Sequence, residues 1–208
     1  NFFTLREAVN KYTAELIKFV TLKHHYRSDI NFSAEIFEDS LNQALKIYRA
    51  FEIIPESKKD IDFTKPDLNT LRVKVEHAMD DDFNTAQAIV ILCNHIDHAL
   101  NTYEEFPEEA QEILSAVRFL FSALGLFNTH SDNKGMINSW LNLHAETIGC
   151  TSLNTAEIDK KIQKRDEAKK SKDFSRADQI RDELYDHGIK LLDHPSKNTS
   201  WQFSLLPK

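Results

Sequence analysis

The sequence predicts a mainly α fold, an antiparallel helical bundle followed by a small α/β domain that ends in a β-hairpin. The 208 residues include only 4 Gly and 5 Pro, so turns are scarce and long helices are favoured. Apolar residues recur at helical spacing through most of residues 1–128. Beyond residue 154, two highly charged helical segments precede two short strand-like segments.

The expected bundle helices have identifiable starts. Thr4 and Glu7 have the spacing of a capping box, Ser33 is a candidate N-cap, and Pro66 suits a first helical turn. Asn84 is a further N-cap candidate. The side chains expected to face the core are Tyr12, Leu16, Phe19 and Val20; Phe37, Leu41, Ala44, Leu45, Tyr48 and Phe51; Leu68, Leu71, Val75, Ala78 and Met79; Ile89, Leu92, Cys93, Ile96 and Leu100; and Ile113, Leu114, Val117, Leu120, Phe121 and Leu124.

A change of character follows the bundle. Residues 129–154 are polar and are interpreted as a linker, with a short helix possible around Trp140. Asn154 and Glu157 form another expected capping box. A second charged helix should start at Asp173 or Ser175 and end at Gly188. The predicted strands are 189–193 and 199–203, with residues 195–198 as the turn between them.

The net charge of −7 is unevenly distributed. Residues 1–32 and 155–208 each carry a net charge of +2, whereas residues 33–128 carry −10. A polyanion is therefore expected to contact the two ends. The two cysteines lack CxxC spacing and no apolar run reaches about 18 residues, so neither a zinc site, a disulfide scaffold nor a membrane span is expected. A reducing cytoplasm fits this composition.

Several local motifs occur together in one order, and with them the chain resembles the cysteinyl-tRNA synthetases over nearly its whole length. These are the opening segment NFFTLRE; HYRS at 25–28 followed by Phe32-Ser33; MDDDFNT at 79–85; KDFSRADQIRDEL at 172–184; and the terminal stretch from Gly188-Ile189 through Leu192-Asp193 and Pro195 to Thr199-Ser200-Trp201. They are similar to the family's segment behind the KMSKS loop, its DDDFNT signature, and its KDFARADEIRDEL and terminal hairpin segments.

The resemblance implies a class I synthetase that uses ATP to activate cysteine and load it onto cysteine tRNA, with zinc and magnesium as further cofactors. The family's HIGH motif, KMSKS lysines and zinc ligands are expected upstream, in a catalytic domain of the same polypeptide. This segment alone is then expected to lack a catalytic site and a cofactor. The implied division is a stem-contact-like segment 1–32, a helical bundle 33–128, a linker 129–154 and an anticodon-binding domain 155–208.

The resemblance also implies base-reading residues. Lys169 aligns with a family arginine, Phe174 with a stacking aromatic, and Asp178 and Asp193 with two carboxylates. An aromatic face stacks on a single-stranded base, and carboxylates accept hydrogen bonds from base amino groups. The alternative makes Phe174 a core residue and Asp178 a surface charge. Lys169 lacks the arginine's planar donor pair, and the PSKN hairpin turn is one residue longer than the family's.

A basic run surrounds these positions: Lys160, Lys161, Lys164, Arg165, Lys169, Lys170 and Lys172. Within it, Lys161, Arg165 and Lys169 recur four residues apart, so they share one helix face. Such a row is either a solvated face or a surface that follows a phosphate backbone. Arg27, in the stem-contact-like segment, is the remaining nucleic-acid-binding candidate.

The three adjacent aspartates of the DDDFNT segment have two interpretations. In the favoured one their role is structural: acidic groups suit a helix N-terminus, Asn84 caps the helix, and Phe83 anchors the junction. A magnesium site is the minority interpretation, because no other ligands are evident.

Two other functions compete with the tRNA ligase. A mycothiol-pathway ligase that joins cysteine to an amino sugar would share the bundle, but the segments 172–184 and 188–201 count against it. A helical-bundle interaction protein without an RNA role is the alternative from another class.

Overall fold

The computed structural model describes residues 4, 6, 8, 9, 12–128, 133–194 and 197–204, and they form two compact units, residues 1–133 and 134–208. The mainly α fold with an antiparallel C-terminal hairpin is confirmed. In chain order the elements are α1 Ala14–Leu22, α2 Ala34–Ile53, α3 Pro66–Asp80, α4 Thr85–Thr102, α5 Pro107–Ala123, α6 Asn133–Ile148, α7 Thr155–Lys170, α8 Phe174–Asp186, β1 Ile189–His194 and β2 Lys197–Phe203.

Most of the predicted helix starts are present. The Asn84 side chain accepts a hydrogen bond from the Gln87 amide at 3.0 Å, and Asn154 and Glu157 form the reciprocal capping box. Ser33 stands at the N-cap of α2 but makes no capping hydrogen bond with its side chain. The Ala8 amide donates to the Thr4 carbonyl at 2.9 Å, as in a helix, whereas Glu7 lies outside the described residues.

The core of the first unit follows the predicted apolar face. All of the predicted core positions are buried except Tyr12, Met79, Cys93, Leu100 and Leu124, which are half-buried at its edges. Phe127 is an addition that periodicity does not indicate, because it follows the last helix of the unit. Its buried ring packs edge-on against Phe19, Tyr48 and Phe121 at centroid distances of 5.0–5.2 Å.

The second unit contains more helix than the sequence predicts. The short helix expected around Trp140 is the 16-residue α6, and the Trp140 side chain is fully buried. Because α6 lies within residues 129–154, most of the segment interpreted as a linker is helical. Its helical pattern is weak because many of its residues are polar.

The β-hairpin pairs Ile189 with Phe203 and continues in register to Leu192 and Ser200. The next pair, His194 with Lys197, leaves Asp193 opposite two residues of β2, Asn198 and Thr199. The extra residue noted in the sequence is therefore accommodated as a β-bulge. The expected turn over 195–198 is wrong in its second half, since β2 begins at Lys197; Pro195 and Ser196 lie outside the described residues.

Among the helices of the described residues, none combines the length and the apolar character required to cross a bilayer.

Candidate nucleic-acid interface

The strongest electrostatic feature of the second unit is the Asp193 carboxylate. Both terminal guanidinium nitrogens of Arg165 donate to it, one to each oxygen, at 2.7 Å. Lys169 Nζ and Thr199 Oγ1 also lie near Oδ1, at 3.0 and 3.2 Å. Chiefly because of the Arg165 hydrogen bonds, the pKa of Asp193 is held far below its usual range. The half-exposed carboxylate of Asp193 thus accepts from several donors of its own unit.

Local structure explains how these groups meet. Arg165 and Lys169 are one helical turn apart on α7 and share a face, and that face is turned toward the hairpin. Arg165 is only 4% exposed, so its guanidinium needs a carboxylate partner. Asp193 supplies it from β1, at the position opposite the bulge in β2. The buried Nε of Arg165 has no hydrogen-bond partner among the described residues.

Lys161, the third member of the predicted row, has a partner as well. Its Nζ donates to the Glu183 carboxylate on α8, and this bond lowers the pKa of Glu183. Since α7 leads into α8 through only three residues, the contact between Lys161 and Glu183 also shows that the two helices run antiparallel. All three cations of the row therefore face carboxylates of their own unit, and the row does not present three free charges to a ligand.

Phe174 begins α8, and its ring is 62% exposed. The alternative that placed Phe174 in the small domain's core is therefore wrong. The apolar face of α8 is formed instead by Ala177, Ile180 and Leu184, which are buried. An exposed phenylalanine at a helix start is free to stack on a planar ligand.

Asp178 lies one helical turn after Phe174, on the same side of α8. Its carboxylate is exposed and forms an ion pair with Arg181 at 3.0 Å. After Asp193 and Asp166, Asp178 is the third carboxylate whose charge raises the pKa of Arg165. The structure therefore brings Phe174, Asp178 and the Arg165–Asp193 pair to one end of the α7–α8 hairpin.

The turn between α7 and α8 has a defined hydrogen-bond pattern. The amide of Lys172 donates to the carbonyl of Lys169 at 3.1 Å, and the amide of Asp173 donates to that of Ala168 at 2.9 Å. Lys172 has a φ of +63°. These features define a Schellman motif in which lysine occupies the left-handed position usually taken by glycine. Asp173 then caps α8 by accepting from the Arg176 amide at 3.0 Å.

Two lysines at this junction, Lys170 at the end of α7 and Lys172 in the turn, differ from the Lys161–Arg165–Lys169 row. Lys170 and Lys172 are exposed, and neither forms an ion pair or a side-chain hydrogen bond with any described residue. Both lysines belong to the basic run of the sequence, but spacing alone does not separate them from their paired neighbours, because it does not show where a carboxylate lies.

Arg27 occupies a different kind of site, in the first unit. Asp82 Oδ1 accepts a hydrogen bond from Tyr26 Oη at 2.7 Å, and Asp82 Oδ2 forms an ion pair with Arg27 Nη1 at 3.1 Å. His25 Nε2 lies 3.7 Å from the same carboxylate. The hydrogen bond to Asp82 raises the pKa of Tyr26. Two of the motifs recognised in the sequence, HYRS and DDDFNT, therefore contact each other across 56 residues.

The DDDFNT turn itself departs from expectation at Phe83. Asp82 and Phe83 have φ values of +56° and +53°, and the Phe83 ring is 68% exposed. Phe83 therefore does not anchor the junction by burial; Asp82 does so through its contacts with the 25–27 segment. No group of three or more possible metal ligands occurs among the residues that the structure describes.

Comparison with known proteins places the chain among relatives. Residues 74–128 match the DALR domain family. The cysteine--tRNA ligase of Marinobacter nauticus is 35% identical over 98% of this chain and 41% of its own length. Those of Syntrophotalea carbinolica and a Polaromonas species are 34% and 32% identical over 97% of this chain and 43% and 39% of their lengths. The chain thus spans about two fifths of these relatives.

Proposed function

The resemblance to the C-terminal half of cysteinyl-tRNA synthetases is confirmed over nearly the whole chain, and from it we propose that this segment binds cysteine tRNA and reads its anticodon. The relatives described above favour this role over a mycothiol-pathway ligase and over a helical-bundle interaction protein. The DALR match lies in the first unit. Anticodon reading by residues 155–208 therefore rests on the motifs and on the geometry of the second unit.

The observation that carries the proposal is the exposed Phe174 ring beside the exposed Asp178 carboxylate. In single-stranded RNA recognition an aromatic ring stacks on a base and polar side chains bind the base edges. Phe174 supplies the stacking face, and Asp178 accepts from an amino or imino group of an anticodon base. To do so, the Asp178 carboxylate has to rearrange its ion pair with Arg181. Because both side chains are exposed, this rearrangement costs little free energy.

The other predicted residues take different roles in this proposal. Asp193 already accepts from Arg165, Lys169 and Thr199, so it holds these donors in place as well as facing the RNA. Arg165 is a positioning residue because it is buried. Lys169, with a partly exposed side chain, can share its ammonium group between Asp193 and a base oxygen. Lys161 and Arg27 contribute positive charge to the tRNA-binding surface of their respective units.

The complete protein is proposed to be a cytoplasmic ligase that joins cysteine to its tRNA at the expense of ATP, in a catalytic domain outside this segment. Zinc and magnesium belong to the same implied activity. Among the described residues, no group of three or more His, Cys, Asp or Glu side chains could hold a metal ion. The proposed task of residues 1–32 is contact with the tRNA stem.

The test uses the full-length protein and two cysteine tRNAs, one with its natural anticodon and one with an altered anticodon. Asp178→Ala should reduce charging of the natural tRNA while leaving cysteine activation unchanged, and should reduce charging of the altered tRNA much less. Losing one good base contact corresponds to a roughly tenfold effect. An equal loss on both tRNAs would show that Asp178 does not read the anticodon.

A further inference from the structure

We propose that Lys170 and Lys172 bind the phosphate groups of the nucleotide that stacks on Phe174, and that this turn, rather than the Lys161–Arg165–Lys169 row, binds the RNA backbone. The inference rests on the proposed function, because it requires an RNA base at Phe174. It adds a backbone contact that motif resemblance does not assign to any residue.

The cations of the second unit differ in whether they are available to bind a phosphate. Binding a phosphate with a cation that already pairs with a carboxylate requires breaking that pair, whereas a solvated lysine only releases water and counterions. Arg165 and Lys169 pair with Asp193, and Lys161 pairs with Glu183. Lys170 and Lys172 have no such partner among the described residues. Lys170 and Lys172 are therefore two available positive charges next to Phe174.

The backbone of Lys172 has a left-handed conformation that favours glycine. Other helices of the chain are followed by glycine in the left-handed conformation, as at Gly125 and Gly188, with φ of +71° at each. Lysine in this conformation is less stable than glycine, because its Cβ approaches the following carbonyl oxygen. Outliers of this kind are concentrated at functional sites. A lysine here, instead of glycine, is explained if its charge is used in binding.

The Lys172 charge and the Phe174 ring are carried by one short, well-defined stretch of backbone. Lys172 precedes Phe174 by two residues, and the hydrogen bonds of Lys172, Asp173 and Arg176 fix the backbone between them. A defined backbone holds the ring and the lysine Cα at a constant separation. An aromatic ring with cations beside it is the arrangement by which proteins bind single-stranded nucleic acid, the ring contacting the base and the cations its backbone.

The experiment measures binding of cysteine tRNA to the full-length protein as a function of salt concentration. The variants are Lys170→Ala, Lys172→Gly and the double variant. Log affinity falls with log salt concentration, and each lost phosphate contact should make this negative slope shallower by about 0.7. Lys172→Gly is informative because glycine suits the conformation at this position, so weaker binding cannot be attributed to a damaged fold. Lys190→Ala is the matched control, since Lys190 is exposed on β1 of the same unit.

The expected result is a shallower salt dependence of binding for both single variants and a still shallower one for the double variant. The salt dependence of Lys190→Ala should be unchanged. The affinity ratio between natural and altered anticodons should persist, because phosphates are the same in both tRNAs. Salt dependences equal to wild type in these variants would overturn the inference. A further variant, Lys161→Ala, would overturn it too if its salt dependence weakened while that of the Lys170 and Lys172 variants did not. A wild-type protein that binds both tRNAs equally would overturn the proposed function and this inference together.

Discussion

Two turns between consecutive helices of this chain share several features and differ in charge. The turn at 81–84 joins α3 to α4, and the turn at 171–173 joins α7 to α8. Each contains non-glycine positive φ, two residues in the first turn and one in the second, and each has an Asn or Asp that caps the following helix, Asn84 or Asp173. Each also presents a phenylalanine to solvent, Phe83 or Phe174.

The difference lies in what holds the charged side chains. In the acidic turn, Asp82 is bound by Tyr26 and Arg27 of the same unit, so its charge is used within the fold. In the basic turn, Lys170 and Lys172 have no described partner. A satisfied charge stabilises the protein, whereas an unsatisfied cation beside an exposed ring is available for a polyanion. The two turns therefore differ in whether their charged side chains are held within the fold, and the lysines next to the basic turn are those that we propose bind RNA.

The largest predicted effect separates the two phenylalanines. In the full-length protein, Phe174→Ala should reduce cysteine-tRNA charging roughly ten- to a hundredfold, because a base-stacking aromatic contributes about 1–3 kcal/mol. Cysteine activation should be unchanged, since it requires no anticodon contact. Phe83→Ala removes an equally exposed ring from the acidic turn and should leave charging nearly unchanged.

Circular dichroism and thermal melting of both variants provide the folding control. Both rings are mostly exposed, so neither variant should lose much stability. If Phe83→Ala impairs charging as strongly as Phe174→Ala does, then the acidic turn also contacts the tRNA and the contrast between the turns is lost.

A smaller effect concerns the carboxylate that holds the end of α7 next to the basic turn. Asp193→Asn leaves the buried Arg165 guanidinium without its counter-charge, which costs about 3–5 kcal/mol in a fully buried pair. Because the Asp193 side chain is 52% exposed, solvent screening reduces this to about 2 kcal/mol at neutral pH. Denaturant titration of wild type and variant measures the difference.

The pH dependence of this effect has a definite sign. The pKa of Asp193 is lower in the folded than in the unfolded protein, so the ionised carboxylate stabilises the fold above the unfolded pKa of about 4. That contribution decreases as the pH falls below about 4. The wild-type protein should therefore lose stability in this range more steeply than Asp193→Asn, and parallel pH profiles would contradict the assigned ion pair.

The two N-caps give a matched pair with a smaller effect on stability. Asn84→Ala and Asp173→Ala should each destabilise the protein by about 1 kcal/mol, since each removes a side-chain acceptor from a helix start. Only Asp173→Ala should also weaken tRNA binding, because Asp173 positions the neighbouring Phe174. Filter binding at a temperature where both variants are folded distinguishes these outcomes; a selective loss of tRNA binding in Asn84→Ala would make the acidic turn a contact site.

The sequence was informative wherever local spacing determines structure. Helical periodicity predicted the bundle, and residues three apart identified the caps at Asn84 and Asn154. The α6 helix was underestimated because its polar residues weaken the periodic signal, although Trp140 anchors it in a core. Phe127 was missed because it follows a helix and belongs to no repeating pattern.

The candidate site was less predictable because its contacts are non-local. The spacing of Lys161, Arg165 and Lys169 showed that they share a helix face, but not that the face is turned toward Glu183 and Asp193. In the same way, Asp82 and Tyr26 are 56 residues apart, and no local pattern joins them. Exposure of Phe83 and Phe174 also depends on tertiary packing, which spacing does not encode.

The smallest predicted effect compares lysine and glycine at equivalent helix ends. Lysine in the left-handed conformation costs about 1–2 kcal/mol relative to glycine in the folded state, whereas glycine adds about 0.5–1 kcal/mol of entropy cost on folding. Lys172→Gly should therefore stabilise the protein by about 0.5 kcal/mol.

Gly125→Ala should destabilise the protein by a similar or slightly larger amount, because a methyl group at Gly125 would meet no other atom within 4 Å and only the backbone conformation is penalised. Denaturant midpoints of the two variants measure these opposite changes. A gain in stability for Lys172→Gly, together with a loss in tRNA affinity, would mean that lysine is kept at this turn for binding and at the expense of the fold. If Lys172→Gly instead lowers stability, then the lysine supports the fold as Asp82 does, and the two turns do not differ in kind.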